Sequence, residues 1–211
     1  VGSGRFLEEA RAAGFDVMGC DLSPAVCRRV EERIGVPVHC GSADGLPRAS
    51  FDVVAMHHVL EHVEDPVGFL RSVRDLLVPG GIVHIAVPNV ECWEARFAGW
   101  NCYVPYHLTY FDRETLTRTA RDAGLVPIWH STHESFSTWF LTMVRLVLRV
   151  RPSKSPRIAA PIGRVPAWWW LVEHPCRLAM VVAGAATWPL RRVQGALGRG
   201  DELVMVARAE S

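Results

Sequence analysis

The first 130 residues alternate short apolar runs with helix signals, and this alternation restricts the folds open to the chain. Strand and helix patterns that follow one another in this way predict a mostly parallel sheet with helices on both faces, a Rossmann-like α/β architecture. A final strand is expected to join the sheet in the antiparallel direction. The predicted strands cover 16–21, 37–40, 51–57, 82–87, 125–130 and 202–208.

Polar caps and glycines mark the ends of three predicted helices. Two predicted helices start with an N-cap residue followed by proline, at Ser23-Pro24 and Asp65-Pro66. The third starts with the N-cap Asp112 alone. The predicted ends are Gly35, the Pro-Gly-Gly at 79–81, and Gly124. The strand at 51–57 is nearly all apolar, which predicts that it is buried on both faces of the sheet.

The chain opens on VGSGRFLEEA, where Gly2 and Gly4 stand at a strand-to-helix turn of the kind that approaches nucleotides. The strand that would precede this turn is missing, and it would be the central strand of the sheet. We therefore expect a fragment or a misassigned start, with a gap in the middle of the sheet and impaired cofactor binding.

Composition and charge exclude some partners. The net charge of +1 gives no support for a nucleic-acid partner. The six cysteines show no CxxC spacing, which favours reduced thiols in a cytoplasmic protein over a zinc site or a disulfide framework. The uncharged run at 178–190 is shorter than the roughly 20 residues that cross a bilayer.

The character of the sequence changes near residue 131. We expect a Rossmann-like cofactor-binding domain over 1–130, a helical insertion or lid over 131–197, and a terminal strand at 198–211 that returns to the sheet. An aromatic and aliphatic stripe at 136–148 and three tryptophans at 168–170 lie in the insertion. Core or lid packing is the first interpretation, and a peripheral membrane contact or a lipid-like substrate bound through 136–190 is the alternative.

The glycine turn and one acid are the first candidates for binding a cofactor. Asp21 ends the second predicted strand, where a carboxylate can accept hydrogen bonds from ribose hydroxyls. A nicotinamide enzyme or a plain structural turn would show the same pair of features, so the pair alone does not decide between them. Asp44 also fits a simple turn before Gly45.

The order of the later motifs is more specific. GSADGLP, FDVVAMHHVLEHVEDP, LLVPGGIVHIAVPN and YHLTYFDRETLTRTARDAGL follow one another after the opening turn. Together they resemble class I S-adenosylmethionine-dependent methyltransferases, in particular the ubiquinone-biosynthesis-like subgroup (methyltransferase types 11 and 23). The resemblance covers 1–130 and the terminal strand.

The resemblance implies roles for matching residues. Gly2 and Gly4 would pack against the methionine part of S-adenosylmethionine, and Asp21 would bind the ribose. Four residues would contact the adenine or the reacting methyl: Leu22, Ala43 and Asp44 at the adenine, and His57 near the sulfonium. The family's upstream acid and earlier glycine are not in this chain, which leaves the methionine end of the site incomplete.

Several histidines are candidates for the chemistry. His57, His58 or His107 would serve as the base that deprotonates an acceptor hydroxyl. Some relatives bind a divalent metal through Glu-x-x-Glu-His and a later histidine, and the corresponding residues here are His58, Glu61, His62 and His107. Since His58 replaces the first glutamate, magnesium is disfavoured and no metal is predicted.

The sequence therefore predicts methyl transfer from S-adenosylmethionine to a small-molecule or lipid-like acceptor, at oxygen in preference to nitrogen or carbon. A truncated, non-catalytic homologue is one alternative. A nicotinamide-dependent oxidoreductase is another, which the LEHVEDP and Pro-Gly-Gly segments disfavour.

Overall fold

The computed structural model describes residues 1–97, 99–134, 139, 142, 143 and 167–210, and only the backbone of 167–180. The helices are α1 (Arg5–Ala12), α2 (Pro24–Ile34), α3 (Pro66–Leu76), α4 (Arg113–Asp122) and α5 (Ala167–Ala196). The strands are β1 (Gly19–Asp21), β2 (Val38–Cys40), β3 (Phe51–His57), β4 (Leu77–Pro88), β5 (Leu125–His133) and β6 (Glu202–Ala209).

The larger sheet has the strand order β3-β4-β6-β5. β3 is parallel to β4, whereas β6 runs antiparallel to both β4 and β5. This confirms the mixed α/β fold and the antiparallel last strand. The main core lies between this sheet and helices α3 and α4, and includes Leu70, Ile85, Leu116 and Met205, all fully buried.

A separate two-stranded parallel sheet joins β1 to β2. Cys27 and Val30 of α2 pack against Val38 in a small second core. The strands are shorter than predicted, since 16–18 and 37 lie outside them and Met18 is exposed.

The expected gap in the sheet is present. Within the described residues, β1 pairs only with β2, β3 pairs only with β4, and no strand joins the two sheets. The prediction that 51–57 is buried on both faces is wrong. Only Met56 of β3 is fully buried, and Val53 is 46% exposed, because β3 has a strand neighbour on one side alone.

The predicted helix starts are confirmed at α2, α3 and α4. One predicted helix end is wrong: α3 ends at Leu76, and the Pro-Gly-Gly at 79–81 lies within β4. The turn is absorbed into the strand because Gly80 takes a positive φ of 79°, a conformation that costs glycine little.

α5 contains the apolar run at 178–190 in a single long helix. No helix in the part of the chain that the structure describes is both long and apolar enough to cross a membrane. Much of the aromatic stripe at 136–148 lies outside the described residues, and the side chains of 168–170 do too. The division at 130 and 197 stays a prediction, although β5 continues to His133.

Candidate active site

The glycine turn takes the conformation that its sequence predicts. Gly2 and Gly4 have positive φ values of 58° and 77°, and Gly4 is the N-cap of α1. A Cβ on Gly4 would lie 2.9 Å from Val30 Cγ1, so a side chain is excluded there by space as well as by conformation. The turn therefore lies directly against α2.

Asp21 lies at the carboxyl end of β1, where its carboxylate is held by the local backbone. Its Oδ1 accepts a hydrogen bond from the Ser23 N–H at 2.9 Å. Burial favours a raised pKa for Asp21, but hydrogen bonds from the backbone N–H groups of Ser23 and Gly2 oppose it, and the pKa is lowered. Asp21 is therefore an ionised acceptor at neutral pH.

The predicted adenine contacts lie beside Asp21. The Gly41 N–H donates to the Asp21 carbonyl at 3.0 Å, which fixes the loop after β2 against the end of β1. Ala43 and Asp44 then form a short 3₁₀ turn in that loop. Leu22 is 76% exposed, so its apolar side chain is available to cover a flat ring.

His57 ends β3 and contacts the segment that follows the glycine turn. Its ring centroid lies 5.1 Å from that of Phe6 in α1, and its Nε2 lies 3.2 Å from Nδ1 of His84 in β4. Burial and the neighbouring His57 lower the pKa of His84. His57 thus stands where the glycine turn and the β3 strand approach each other.

His58 is half exposed and bridges two carboxylates. Its Nδ1 lies 3.2 Å from Glu61 Oε1, and its Nε2 lies 3.1 Å from Glu202 Oε1 in β6. Hydrogen bonds to Glu202 and Glu61 raise the pKa of His58 to about 10, against the opposing effect of burial. The imidazole is therefore a cation at neutral pH, which makes it unable to accept a proton there.

Glu61 is the centre of a second group, in which three side chains converge. Glu61, His62 and His107 each offer a ligand atom within 4.8 Å of the others. Glu61 Oε1 lies 3.8 Å from His62 Nε2 and 4.0 Å from His107 Nε2. The peptide carbonyl of Glu61 also accepts the N–H groups of Leu108 and Thr109, which pins the loop that carries His107.

Two buried polar atoms in this group lack a hydrogen-bond partner: Glu61 Oε2 and His107 Nδ1. Glu61 is 1% exposed. Burial lowers the pKa of His107, with repulsion from His62 and His58 in the same direction and attraction to Glu61 opposing it. The imidazole of His107 is therefore neutral at pH 7 and can accept a proton from a ligand, or donate a hydrogen bond to one.

The sequence did not indicate two members of this site. Glu202 of β6 is the strongest partner of His58, and it is brought there only by the antiparallel pairing of β4 with β6. Tyr106 accepts a hydrogen bond from His62 Nδ1 at its carbonyl oxygen and stacks its ring on that imidazole. Neither contact has a signature in the local sequence, because both depend on chain segments far apart.

The fold and the site together define a class I S-adenosylmethionine-dependent methyltransferase. A family model described as a methyltransferase domain matches residues 1–130, and the chain belongs to that family.

Solved structures of similar fold extend over nearly the whole chain. A SAM-dependent methyltransferase from Archaeoglobus fulgidus gives a TM-score of 0.60 at 18% identity, covering 98% of this chain and 82% of that one. A 1,6-didemethyltoxoflavin-N1-methyltransferase from Burkholderia thailandensis with bound S-adenosylhomocysteine gives 0.53 at 18% identity, covering 100% and 68%. At these identities the likeness concerns the fold.

Curated relatives include ubiquinone biosynthesis O-methyltransferases. That of Parvibaculum lavamentivorans is 33% identical over 95 residues, and one from Cereibacter sphaeroides is 37% identical over 95 residues. Each match covers 42% of this chain and 38% of the relative, so the chain spans well under half the length of the relatives it matches. The resemblance to the ubiquinone-biosynthesis-like subgroup is confirmed.

Proposed function

We propose that the protein transfers a methyl group from S-adenosylmethionine to a hydroxyl oxygen of a small-molecule or lipid-like acceptor. The observation that carries the choice of oxygen is Glu61 Oε2, a buried oxygen without a hydrogen-bond partner in the group formed with His62 and His107. A buried polar atom without a partner costs on the order of 1–3 kcal/mol, and a ligand hydroxyl would relieve that cost. The names of the curated relatives, which are O-methyltransferases, support the same choice.

The residues at the carboxyl ends of β1 and β2 fit the adenosine part of the cofactor. The ionised carboxylate of Asp21 would accept hydrogen bonds from the ribose hydroxyls, with Leu22 against the adenine face and Ala43-Asp44 at its edge. Gly2 leaves open space for a ligand at the turn, Gly4 lets the turn pack against α2, and His57 would lie towards the reacting end. The cofactor, when bound, supplies an electrophilic methyl group on a sulfonium.

The catalytic roles divide among the three candidate histidines. We assign the base to His107, because it is neutral and has a buried nitrogen without a hydrogen-bond partner. His58 is assigned a positioning role, since it is a cation held between Glu61 and Glu202. His57 would orient the reacting groups. Methyl transfer requires mainly alignment, so the base accelerates the reaction without being indispensable.

A substitution at His107 tests the assignment of the base. His107→Gln should lower kcat by roughly 10²-fold or more, the usual range for loss of a general base. The affinity for S-adenosylhomocysteine should not change. The assay follows methylation of an alkyl-substituted catechol by mass spectrometry, with Arg118→Gln, an exposed residue of α4, as a control outside the site. Unchanged kcat in His107→Gln would remove His107 from the chemistry.

Calorimetry distinguishes binding of the proposed cofactor from the two alternatives, which are binding of NAD and binding of no cofactor. The complete gene product that contains residues 1–211 should bind S-adenosylhomocysteine and should not bind NAD. Asp21→Asn should weaken that binding about tenfold or more, because it removes a charged hydrogen-bond acceptor. Asp16→Asn is the matched control, an exposed acid just before the same strand. Equal binding of NAD, or no binding of either ligand, contradicts the proposal.

A metal ion is not required in this proposal, although Glu61, His62 and His107 are close enough to hold one. His58, which replaces the first glutamate of the metal-binding pattern, is already bonded to Glu61 and Glu202. Activity should therefore survive a chelator and also His62→Ala with the fold intact. Loss of activity that a divalent metal restores would overturn this point.

A lipid-like acceptor is supported by the exposed apolar side chains of α5. Val181, Val182, Trp188 and Leu190 are all about half exposed or more. We propose that this surface, with the rest of 136–190, covers an alkyl chain of the acceptor or touches a membrane at its surface, in a protein of the cytoplasm. Co-sedimentation with phosphatidylglycerol vesicles that is lost in Trp188→Ser would support the contact. Sedimentation that Trp188→Ser leaves unchanged would exclude it.

A further inference from the structure

The outer face of α4 and the edge strand β5 line a surface cavity of about 520 Å³ that is open to solvent. Its lining consists of Arg113, Thr117 and Arg121 on α4 and of 127–130 on β5. None of these residues belongs to the candidate active site. The cavity is therefore a separate feature that the proposed methyl transfer does not explain.

The lining of the cavity holds two arginines and no acid. Arg113 and Arg121 are two helical turns apart, about 12 Å along the axis, with Thr117 on the same face between them. Neither guanidinium forms an ion pair with any described residue. The acids nearest to them line the adjoining groove and are Glu91, Asp112, Glu114 and Asp122. Asp112 caps α4 through Thr115, and Glu91 pairs with Arg199.

His130 stands between the two arginines and its tautomer follows from its hydrogen bond. The Thr117 hydroxyl donates to the Arg113 carbonyl at 2.6 Å, so its oxygen accepts from His130 Nε2 at 3.0 Å. Nε2 therefore carries the hydrogen. Burial lowers the pKa of His130, and repulsion from Arg113 and Arg121 lowers it further, which shows that both cations act at this one point.

The β5 wall of the cavity is apolar and irregular. The register of β5 against β6 shifts between Pro127 and Trp129, and β5 is at the edge of the sheet. A proline and a bulge on an edge strand discourage the addition of another strand. Trp129 is 49% exposed, so a flat indole lies open beside the two guanidiniums.

We propose that this cavity binds a small organic anion, namely a phosphate monoester of a flat aromatic group. The phosphate lies between Arg113 and Arg121, which offer forked N–H donors, and the aromatic group stacks on Trp129. The bulged edge disfavours an added peptide strand.

Calorimetric titration with 1-naphthyl phosphate tests the proposal, with inorganic phosphate and 1-naphthol as the separate halves of the probe. The double substitution Arg113→Gln/Arg121→Gln should weaken binding of 1-naphthyl phosphate about tenfold or more. Arg118→Gln is the matched control, an exposed arginine of α4 that does not line this cavity. Trp129→Ala should weaken the binding of 1-naphthyl phosphate and leave the affinity for inorganic phosphate unchanged.

The imidazole of His130 gives a second, local measurement. In NMR spectra its pKa should rise when 1-naphthyl phosphate binds, because the anion cancels the repulsion from the arginines. If Arg118→Gln weakened the binding of 1-naphthyl phosphate as much as the double substitution, the effect would come from general electrostatics, and the proposal would be overturned. Binding of anionic vesicles or heparin without 1-naphthyl phosphate would also overturn it, as would no effect of the double substitution in a variant whose circular dichroism is unchanged.

Discussion

At the scale of single residues, His58 shows how a charge can be held in place by the fold. Its φ of 52° is uncommon for a residue with a side chain, and such strain persists only where surrounding contacts enforce it. The contacts are those to Glu61 and Glu202, one in the adjacent turn and one in the last strand. The sequence predicted His58 as a candidate base, because spacing along the chain cannot identify the distant carboxylate of Glu202 that keeps the imidazole protonated.

This arrangement predicts a dependence of stability on pH. The pKa of His58 is raised to about 10 in the folded state, above an unfolded value of about 6.5. Its stabilising contribution is therefore complete below about pH 6.5 and is lost as the pH rises through about 10. The contribution is on the order of 1 kcal/mol, since the side chain is half exposed and screened by water.

Urea unfolding of wild type and His58→Gln at pH 6, 8 and 10 measures this effect. The difference in unfolding free energy should be largest at pH 6 and should shrink towards pH 10. Glu202→Gln, which removes the first partner, should reduce the same difference. A constant difference across this range would mean that His58 is not the titrating group.

At the scale of elements, the helix N-caps were the most predictable part of the chain, yet the caps of α2 and α4 differ physically. Asp112 Oδ1 accepts from the Thr115 N–H at 2.7 Å, and Thr115 Oγ1 accepts from the Asp112 N–H at 3.0 Å, a reciprocal capping box. Ser23 stands at the N-cap of α2 as predicted, but its side chain makes no capping bond. The sequence locates a cap, whereas its strength depends on rotamers that the fold selects.

This contrast predicts unequal effects of alanine at the two caps. Asp112→Ala should lower the free energy of unfolding by about 1 kcal/mol, because the first-turn N–H groups of α4 lose their acceptor. Ser23→Ala should change it by a few tenths of that amount. Thermal and urea unfolding measure both. Equal losses at the two positions would contradict the assignment of the capping box.

At the scale of the whole molecule, the order of elements was predictable and the burial of its strands was not. Alternation and end signals predicted the parallel pairs, whereas the antiparallel last strand and the gap between β1 and β3 were implied by the resemblance to the methyltransferase family. β3 is exposed because it has no strand neighbour on one side. The apolar sequence of this strand carries no information about which strands lie beside it. In the site, Asp21 and the loop after β2 were predicted from their positions at strand ends, while Glu202 and Tyr106 required the tertiary structure.

In the described residues, the gap separates two hydrophobic cores of very different size. The core against the four-stranded sheet holds seventeen buried residues, whereas the core of β1, α2 and β2 holds three. Regions with few buried contacts open at lower free energy than the rest of a protein. We therefore expect the β1-α2-β2 unit to unfold before the larger sheet.

A matched pair of cavity substitutions tests this order. Val30 and Val73 are both fully buried, one in each core, so Val→Ala removes the same atoms from the two environments. Val73→Ala should lower the global free energy of unfolding by about 1–3 kcal/mol. Val30→Ala should instead speed amide hydrogen exchange in β1, α2 and β2 and leave that in β4 and β6 unchanged. Equal acceleration in both parts would show that the two sheets unfold as one cooperative unit, held together across the gap by contacts other than strand pairing.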